Sequence, residues 1–558
     1  MKNKVLSDNF RRSQNFFESD KMLQHLIKKD ISEQGSSYML DKWQTLGKKA
    51  ATEMDELSLT ADKKTPELRK RNFYGETLNE IVFHPAYHTL TDIAIQSEMF
   101  AVKWQPDLRQ KFVSERHRLG FVTTFLYDLG EGGLPCPLCM TDGVALLIDR
   151  YCTEADKVRL LPHIYSKKLN NFYTGAMFLT EKAGGSDVGA NLVSATKHKD
   201  DYYLLNGEKW FCSNANAEII FALARTNPDI KSTKGLSIFL IEKQRPDGTK
   251  NEMNIVRLKD KLGVRSMASA ECILTDTYGK LVGKEGEGFY IMADMINLSR
   301  LYNSIVATAF MRRALIESYQ FLSFRISFGK NALNHALIRK KLEEIGSMYI
   351  ANFYMTFKAV KLLDKADNGD RKSAEILRLL TPMLKKCTAE IGVYVIRESM
   401  ELMGGMGYIE DGVLPKLMRD SMVLPIWEGA GNIMLLDMLR ASVKSKGFQL
   451  LCEEIKGIFE SEEQAKHLLK TVEQLEKMLQ KSFEMQDKET LELTAKFVFE
   501  ELTSLYQIAV LLEYSDSESE KWINSAVSFL LEKQENKSFK MPKTLNKAAI
   551  KDLLAWEF

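Results

Sequence analysis

The spacing of apolar residues changes twice along this chain, near Asn171 and again near Phe289, and the two changes dictate a layered α+β architecture. Before Asn171 the spacing is helical. Met22, Leu23, Leu26 and Ile27 share one face, as do Met39, Leu40 and Trp43. The charged stretch 55–71 reads as a solvated connector. From Phe172 the pattern alternates, with strands expected at 172–180, 191–197, 202–205, 208–212, 219–225 and 236–242. Asn206-Gly207 reads as the turn of a hairpin. A charged loop follows over 257–269, and 271–274 with 281–282 completes a compact antiparallel β domain of about 110 residues. Helical spacing then returns over 289–324, 335–367, 372–403 and 431–444, the mark of an antiparallel four-helix bundle. The expected domains are therefore an N-terminal helical domain (1–171), a central β domain (172–288), a four-helix-bundle domain (289–440) and an extra C-terminal helical domain (441–558).

The balance of charge narrows the classes of function. A formal net charge of +2 over 558 residues gives no global field for nucleic acid or a membrane surface. Seven cysteines, an odd number, make no disulfide framework, and a reducing compartment, the bacterial cytoplasm or another, is the simplest reading. No apolar run approaches the ~20 residues of a membrane span, and the polar stretch 1–28 has no signal-peptide core. The final Ala-Trp-Glu-Phe is no targeting address.

Four local motifs carry candidate chemistry. His84 and His88 have metal-pair spacing but lack nearby carboxylates, so packing or helix capping is the better reading and no metal is expected. Cys136-Pro-Leu-Cys139 has neither the βαβ context of a redox motif nor a second pair for zinc, and reads as two buried thiols at a helix start. Gly184-Gly-Ser186, after a strand, is either a plain turn or a cradle of N–H groups for a phosphate outside any dinucleotide fingerprint. Pro425-Ile-Trp-Glu-Gly-Ala-Gly-Asn-Ile433 places a lone carboxylate, Glu428, beside an indole and two glycines. Apolar surroundings raise a carboxyl's pKa towards neutrality, as a general base for a weakly acidic C–H requires. The alternative is an acid at the first turn of a helix starting near Asn432.

Taken in order, these motifs resemble the acyl-CoA dehydrogenase family over about residues 80–440. Leu179-Thr-Glu181 with Gly184-Gly-Ser-Asp187, Lys209-Trp-Phe-Cys-Ser-Asn214, Arg325 with Phe328-Gly329, Gly404-Gly405 with Gly407-Tyr408, and Arg419-Asp420 leading to Glu428-Gly429 make up the set. Phe83-His-Pro-Ala-Tyr-His88, Thr180 to Val188, Lys259-Asp-Lys-Leu-Gly263 and the Trp-Glu-Gly stretch resemble its AidB-like branch.

The resemblance implies FAD and a set of roles. Met177, Leu179 and Thr180 line the flavin, with the Thr180 hydroxyl on the ring edge. Ser186 holds the pyrophosphate, Ser213 sits near flavin N5 and Phe211 lies against the ring. Arg325, Phe328, Gly404 and Gly405 reach the adenosine diphosphate half in a neighbouring subunit of a homotetramer. Trp427, Gly429 and Asn432 border the cofactor, and Glu428 is the catalytic base. The implied reaction removes the α-proton of a fatty acyl-CoA, a long-chain one among the candidates, and passes the β-hydride to flavin N5. Electrons then leave to an electron-transfer flavoprotein. Two other readings stand beside it: a flavoprotein of stress response with acyl-CoA or DNA as ligand and weak dehydrogenase activity, and an acyl-CoA oxidase.

This sequence departs from the family's pattern at three places. Phe211 stands where Trp is usual, Trp427 where Tyr is common, and Glu401 where a Gln usually meets the cofactor. Glu401 needs a cation beside it to tolerate a phosphate. Arg440 is either a contact for an anionic substrate or a basic residue near a helix end. Within 441–558 there are 16 lysines, no arginine and 21 acidic residues, a net of about −5. That balance argues against DNA, whose binding needs clustered cations. The stripes Leu468/Val472/Leu475/Leu479, Leu502/Leu505/Tyr506/Ala509/Leu512 and 522–531 point to packing or tetramer stabilisation.

Overall fold

The computed structural model describes residues 15–485 and 487–535. The first half of the polar N-terminus and the last residues of the chain, including the Ala-Trp-Glu-Phe ending, lie outside the described residues. Before the sheet come α1 (Lys21–Asp30), α2 (Glu33–Ala50), α3 (Glu53–Lys63), α4 (Pro85–Gln96), α5 (Arg116–Asp128), α6 (Pro135–Tyr151) and α7 (Glu154–Ile164). After it come α8 (Gly288–Phe324), α9 (Ala336–Asp367), α10 (Arg371–Met403), α11 (Val413–Ser421) and α12 (Gly431–Lys444). The tail adds α13 (Gly447–Ser461), α14 (Leu469–Glu484), α15 (Lys488–Tyr514) and α16 (Glu520–Glu535). The four bundle helices fall within a residue or two of their expected limits. Asp370 caps α10 by accepting from the Lys372 N–H, and Gly404 ends it at φ +61°.

The stretch 55–71 is not a solvated connector. Most of it is helix α3, followed by β1 (Glu67–Arg71), which pairs antiparallel with β2 (Thr77–Val82). Two of its four acids face inward, where Asp55 holds the fully buried Arg313 at 2.8 Å and Asp62 holds Arg419 at 2.6 Å, while Glu56 and Glu67 are exposed. Charge taken for solvation is charge paired across the interface with the bundle. His84 is a cap, its Nδ1 accepting from the Ala86 N–H at 3.2 Å where α4 begins.

The central sheet comprises β3 (Gly175–Phe178), β4 (Ser194–Lys199), β5 (Tyr202–Ser213), β6 (Ile219–Arg225), β7 (Leu236–Glu242), β8 (Met253–Leu258) and β9 (Ser269–Val282). Strand order is β3-β6-β4-β5-β9-β7, with β8 on β9, and β6–β7 pairing turns the sheet back on itself. Pairing is antiparallel apart from β3 on β6 and a single bridge between β4 and β6. Asn206-Gly207 is not a hairpin turn. It lies inside the continuous strand β5, at a register shift against β9. Gly207 has φ +138°, and a Cβ there would come within 3.0 Å of the Val193 Cα, so glycine marks a bulge under a close neighbour. The expected strands at 271–274 and 281–282 are likewise one strand, β9. The expected loop over 257–269 begins two residues later, because Arg257 and Leu258 pair with β9.

Three cores result among the described residues. One fills the sheet around Phe178, Leu205, Phe239 and Cys272. A second is continuous from Phe16 through the bundle to Leu530. A third, smaller one gathers Phe310, Leu414, Leu417 and Leu424. Val472, Leu475, Leu502, Leu505, Tyr506 and Ala509 are all fully buried, so the tail packs into the main core rather than hanging from it. Among the described residues no helix is long and apolar enough to cross a membrane.

Candidate active site

Glu428 stands three residues before α12, not in its first turn, at a backbone conformation that helices exclude. Its φ is +57° and that of Gly429 is +101°. Two successive left-handed residues reverse the chain, and a side chain at 429 would strike the Met434 Cε. The reversal is held by cations that the sequence did not announce. Arg300, on α8, donates from Nε to the Glu428 carbonyl at 3.2 Å. Lys385, buried on α10, donates to the Gly429 carbonyl at 2.7 Å. Arg300 is fixed by Asp437 at 2.6 Å, and Asp437 by Arg378 at 2.5 Å.

Burial pushes the Glu428 carboxyl up to about 7, with Arg300 and Lys385 opposing the shift. Burial also brings the Lys385 ammonium down to about 8. Trp427 packs into the cluster of Phe310, Leu417 and Leu424, and its indole Nε1 is buried with no partner among the described residues.

The thiols foreseen at a helix start are the first turn of α6, and they belong to this site. Cys136 is faced by Glu428, by Lys261 and by Ser213, the last from the end of β5; burial and Glu428 raise its thiol to about 12. Cys136 thus links Glu428 to the strand carrying Phe211 and Ser213. Lys261, brought to about 8 by burial, donates to the Met267 carbonyl at 2.6 Å and to the Ser269 hydroxyl at 3.1 Å. Asp420 anchors this loop by accepting from the Val264 N–H at 2.6 Å while holding Lys416 at 2.6 Å.

A second cluster shapes the glycine loop after β3. Glu181 and Lys209, both buried, pair at 2.7 Å, and Glu181 also accepts from the Leu192 and Val193 N–H groups. Trp210 N–H donates to the Thr180 carbonyl at 2.9 Å, joining β5 to the loop. Met177, Leu179 and Thr180 are half-buried, while Gly185 and Ser186 are exposed beyond Gly184 at φ +121°. Phe211 is about half exposed, with the Lys259 Nζ 4.4 Å from its ring centroid.

Arg325, Phe328, Gly404 and Gly405 are exposed, and a Cβ on either Gly404 or Gly405 would meet nothing within 4 Å. Glu401 pairs with Arg397 at 3.1 Å. Asn432 is exposed at the start of α12. Arg440 lies eight residues further, about 12 Å along the axis, and is exposed; the cations acting on Glu428 are Arg300 and Lys385. Among the described residues no cluster of His, Cys, Asp and Glu is placed to hold a metal.

The residues present fit a flat cofactor with a phosphate tail. The half-buried Thr180 hydroxyl, the open glycine loop ending in Ser186, the half-exposed Phe211 ring and the unpartnered Trp427 N–H offer an apolar face and polar contacts.

Comparison with known proteins agrees over nearly the whole chain. Residues 8–169 match the adaptive response protein AidB N-terminal domain, 176–277 the acyl-CoA dehydrogenase middle domain and 286–443 the acyl-CoA dehydrogenase C-terminal domain. The chain belongs to the acyl-CoA dehydrogenase family, in its AidB-like branch. It is 32% identical to the putative acyl-CoA dehydrogenase AidB of Escherichia coli (strain K12), over 81% of this chain and 83% of that protein. It is 27% identical to acyl-CoA dehydrogenase family member 11 of Caenorhabditis elegans, over 90% of this chain and 85% of that protein. The crystal structure of Caenorhabditis elegans ACDH-11 in complex with C11-CoA superposes with a TM-score of 0.85 at 25% identity, covering 92% of this chain and 91% of that one.

Proposed function

We propose that the protein is an FAD-dependent dehydrogenase of fatty acyl-CoA thioesters in which Glu428 removes the α-proton. One observation carries the reading: a lone carboxyl raised to about 7, on a left-handed turn whose two carbonyls are tied by Arg300 and Lys385. A base poised at working pH must be held against recoil to meet a C–H bond, and this turn supplies both conditions. The Glu428 backbone N–H, freed from helix geometry, is the group this chain offers to the thioester oxygen as negative charge develops there. Bound FAD supplies the acceptor for the β-hydride. Met177, Leu179, Thr180, Ser186, Phe211 and Ser213 hold it from one chain, with Trp427, Gly429 and Asn432 beside the base. Arg325, Phe328, Gly404 and Gly405 reach it from a neighbour within a homotetramer, a role suited to residues so exposed.

The C11-CoA bound by the Caenorhabditis elegans relative supports an acyl chain of medium or greater length. An electron-transfer flavoprotein is the proposed acceptor, and the seven free cysteines support a reducing compartment such as the bacterial cytoplasm. Anaerobic titration of the flavin spectrum with acyl-CoAs of graded length tests the reading. Prompt bleaching with one chain class is expected. A spectral shift without bleaching replaces the enzyme with a ligand-binding flavoprotein, and peroxide release in air replaces the dehydrogenase with an oxidase.

A further inference from the structure

The C-terminal helices lie beyond the three family domains matched, yet they meet the rest of the chain directly behind the base. Three successive residues of α10 make the connection. Lys385 holds the Gly429 carbonyl at 2.7 Å. Lys386 pairs with Glu390 at 2.8 Å on its own helix and with Glu500 of α15 at 3.1 Å. The Cys387 thiol and the Gln507 amide of α15 both donate to Asn352 Oδ1, at 3.4 and 3.3 Å.

Successive helical residues point about 100° apart, so one turn of α10 serves the base loop on one side and α15 on the other. The Lys386–Glu390 pair also abuts the loop itself. A Cβ on Gly431 would lie 3.1 Å from Glu390 Oε1 and 3.8 Å from the Lys386 Cε. The base loop is therefore walled by an ion pair whose cation is shared with the tail.

We infer that Glu500 of α15 is a positioning residue for Glu428, acting through the Lys386–Glu390 pair against Gly431. The inference rests on Glu428 as the base. Removing Glu500 leaves Lys386 to Glu390 alone and frees the wall of the loop to move. Gln507 keeps α15 seated through Asn352, so Glu500 can be changed without undocking the helix.

The charged and titratable groups facing Glu428 are Arg300 from α8, Lys385 from α10, and Cys136 and Cys139 from α6. Glu390 acts on Lys385, and Asp437 fixes Arg300. Glu500 touches none of the groups on Glu428 itself, so its effect is one of position, read best from backbone motion.

The test compares the full-length protein with Glu500→Gln, Lys386→Met, Lys386→Arg and the Glu500→Gln/Lys386→Met double variant, using hydrogen–deuterium exchange and anaerobic flavin bleaching. Amides of 426–434 are expected to exchange at least about threefold faster in Glu500→Gln and in Lys386→Met, with α8 unchanged. Lys386→Arg, which keeps the pair, should return the wild-type pattern. The double variant should be no worse than Lys386→Met, since both changes act through one contact. Unchanged exchange over 426–434, additive effects, or no rescue by arginine overturns the inference. Glu428→Gln run in parallel keeps the two readings apart. Wild-type bleaching in that variant removes the base and leaves the exchange data standing alone; lost bleaching with an unmoved 426–434 segment removes only the role of Glu500.

Discussion

Arg300 grips Glu428 from behind: its Nε donates to the main-chain carbonyl of Glu428 at 3.2 Å while its Nη1 holds Asp437 at 2.6 Å. The same guanidinium opposes the rise in the Glu428 pKa. Its removal should therefore act on ionisation as well as on geometry. A base works above its pKa, so the rate of flavin bleaching in the wild-type protein should climb through pH 7. In Arg300→Gln that limb should move to higher pH, by about one unit. Arg300→Lys keeps the charge and loses the two-sided grip, so it should lower the plateau without moving the limb. A pH profile of pre-steady-state bleaching distinguishes the two, and an unmoved limb in Arg300→Gln contradicts the assignment.

The raised carboxyl also carries a stability signature. Glu428 has a folded pKa of about 7 against 4.5 as the ordinary value. The folded state then binds the proton more tightly than the unfolded chain, so this residue costs stability as pH rises from about 4.5 to 7. Glu428→Gln removes the cost. Its unfolding free energy should exceed that of the wild type above pH 7, by no more than about 3 kcal/mol, and the difference should vanish below pH 4.5. Denaturant melts at pH 4 and pH 8 measure it. Equal stability at both values means that the carboxyl is well solvated.

The chain's own pattern was enough to delimit the four bundle helices, since caps and apolar stripes are local signals; Asp370 and Gly404 bracket α10 by chemistry visible in the sequence. Glu428 was legible as a carboxyl in apolar surroundings, because an indole and two glycines flank it. Its supports were not. Lys385 reads as one basic residue in a helix rich in them, and only the folded position of Gly429 gives its ammonium a carbonyl to hold. Cys136 is nearly three hundred residues from Glu428, a distance that no local pattern spans. The errors share a cause. Asn206-Gly207 has the composition of a hairpin turn, but cross-strand partners on β9 decide whether such a pair turns or bulges. Asp55 and Asp62 have the composition of a surface, but Arg313 and Arg419 take them inside.

Lys209 and Glu181 show the same dependence on partners, with a measurable consequence. Both are buried, and they meet at 2.7 Å where β5 passes under the glycine loop. Lys209→Met leaves Glu181 to the Leu192 and Val193 N–H groups, an uncompensated carboxylate in a dry site. Breaking a buried pair on one side costs about 3–5 kcal/mol. We expect a loss of about 3 kcal/mol in thermal unfolding and, because Thr180 and Gly184 hang from this pair, a lower flavin-to-protein ratio after gel filtration. A variant with full stability and full flavin shows that the loop does not depend on the pair.

Phe328 sets stability against cofactor retention. The ring is 97% exposed and its backbone is left-handed at φ +47°, followed by Gly329 at φ +75°. A left-handed phenylalanine costs about 1 kcal/mol, and within its own chain the exposed ring has only an edge-on contact with His335 among the described residues, 6.0 Å between centroids, to set against it. Phe328→Gly removes the strain while adding freedom to the unfolded chain, so the melting temperature of the flavin-free protein should hold or rise. If the ring reaches a neighbour's cofactor, flavin occupancy and oligomer mass should fall in the same variant. Stability that holds or rises while occupancy falls is a combination that local damage around Phe328 cannot produce. Calorimetry of the flavin-free protein, with light scattering and an absorbance ratio of the flavin-loaded protein, measures both. Unchanged occupancy assigns the exposed ring no part in holding FAD.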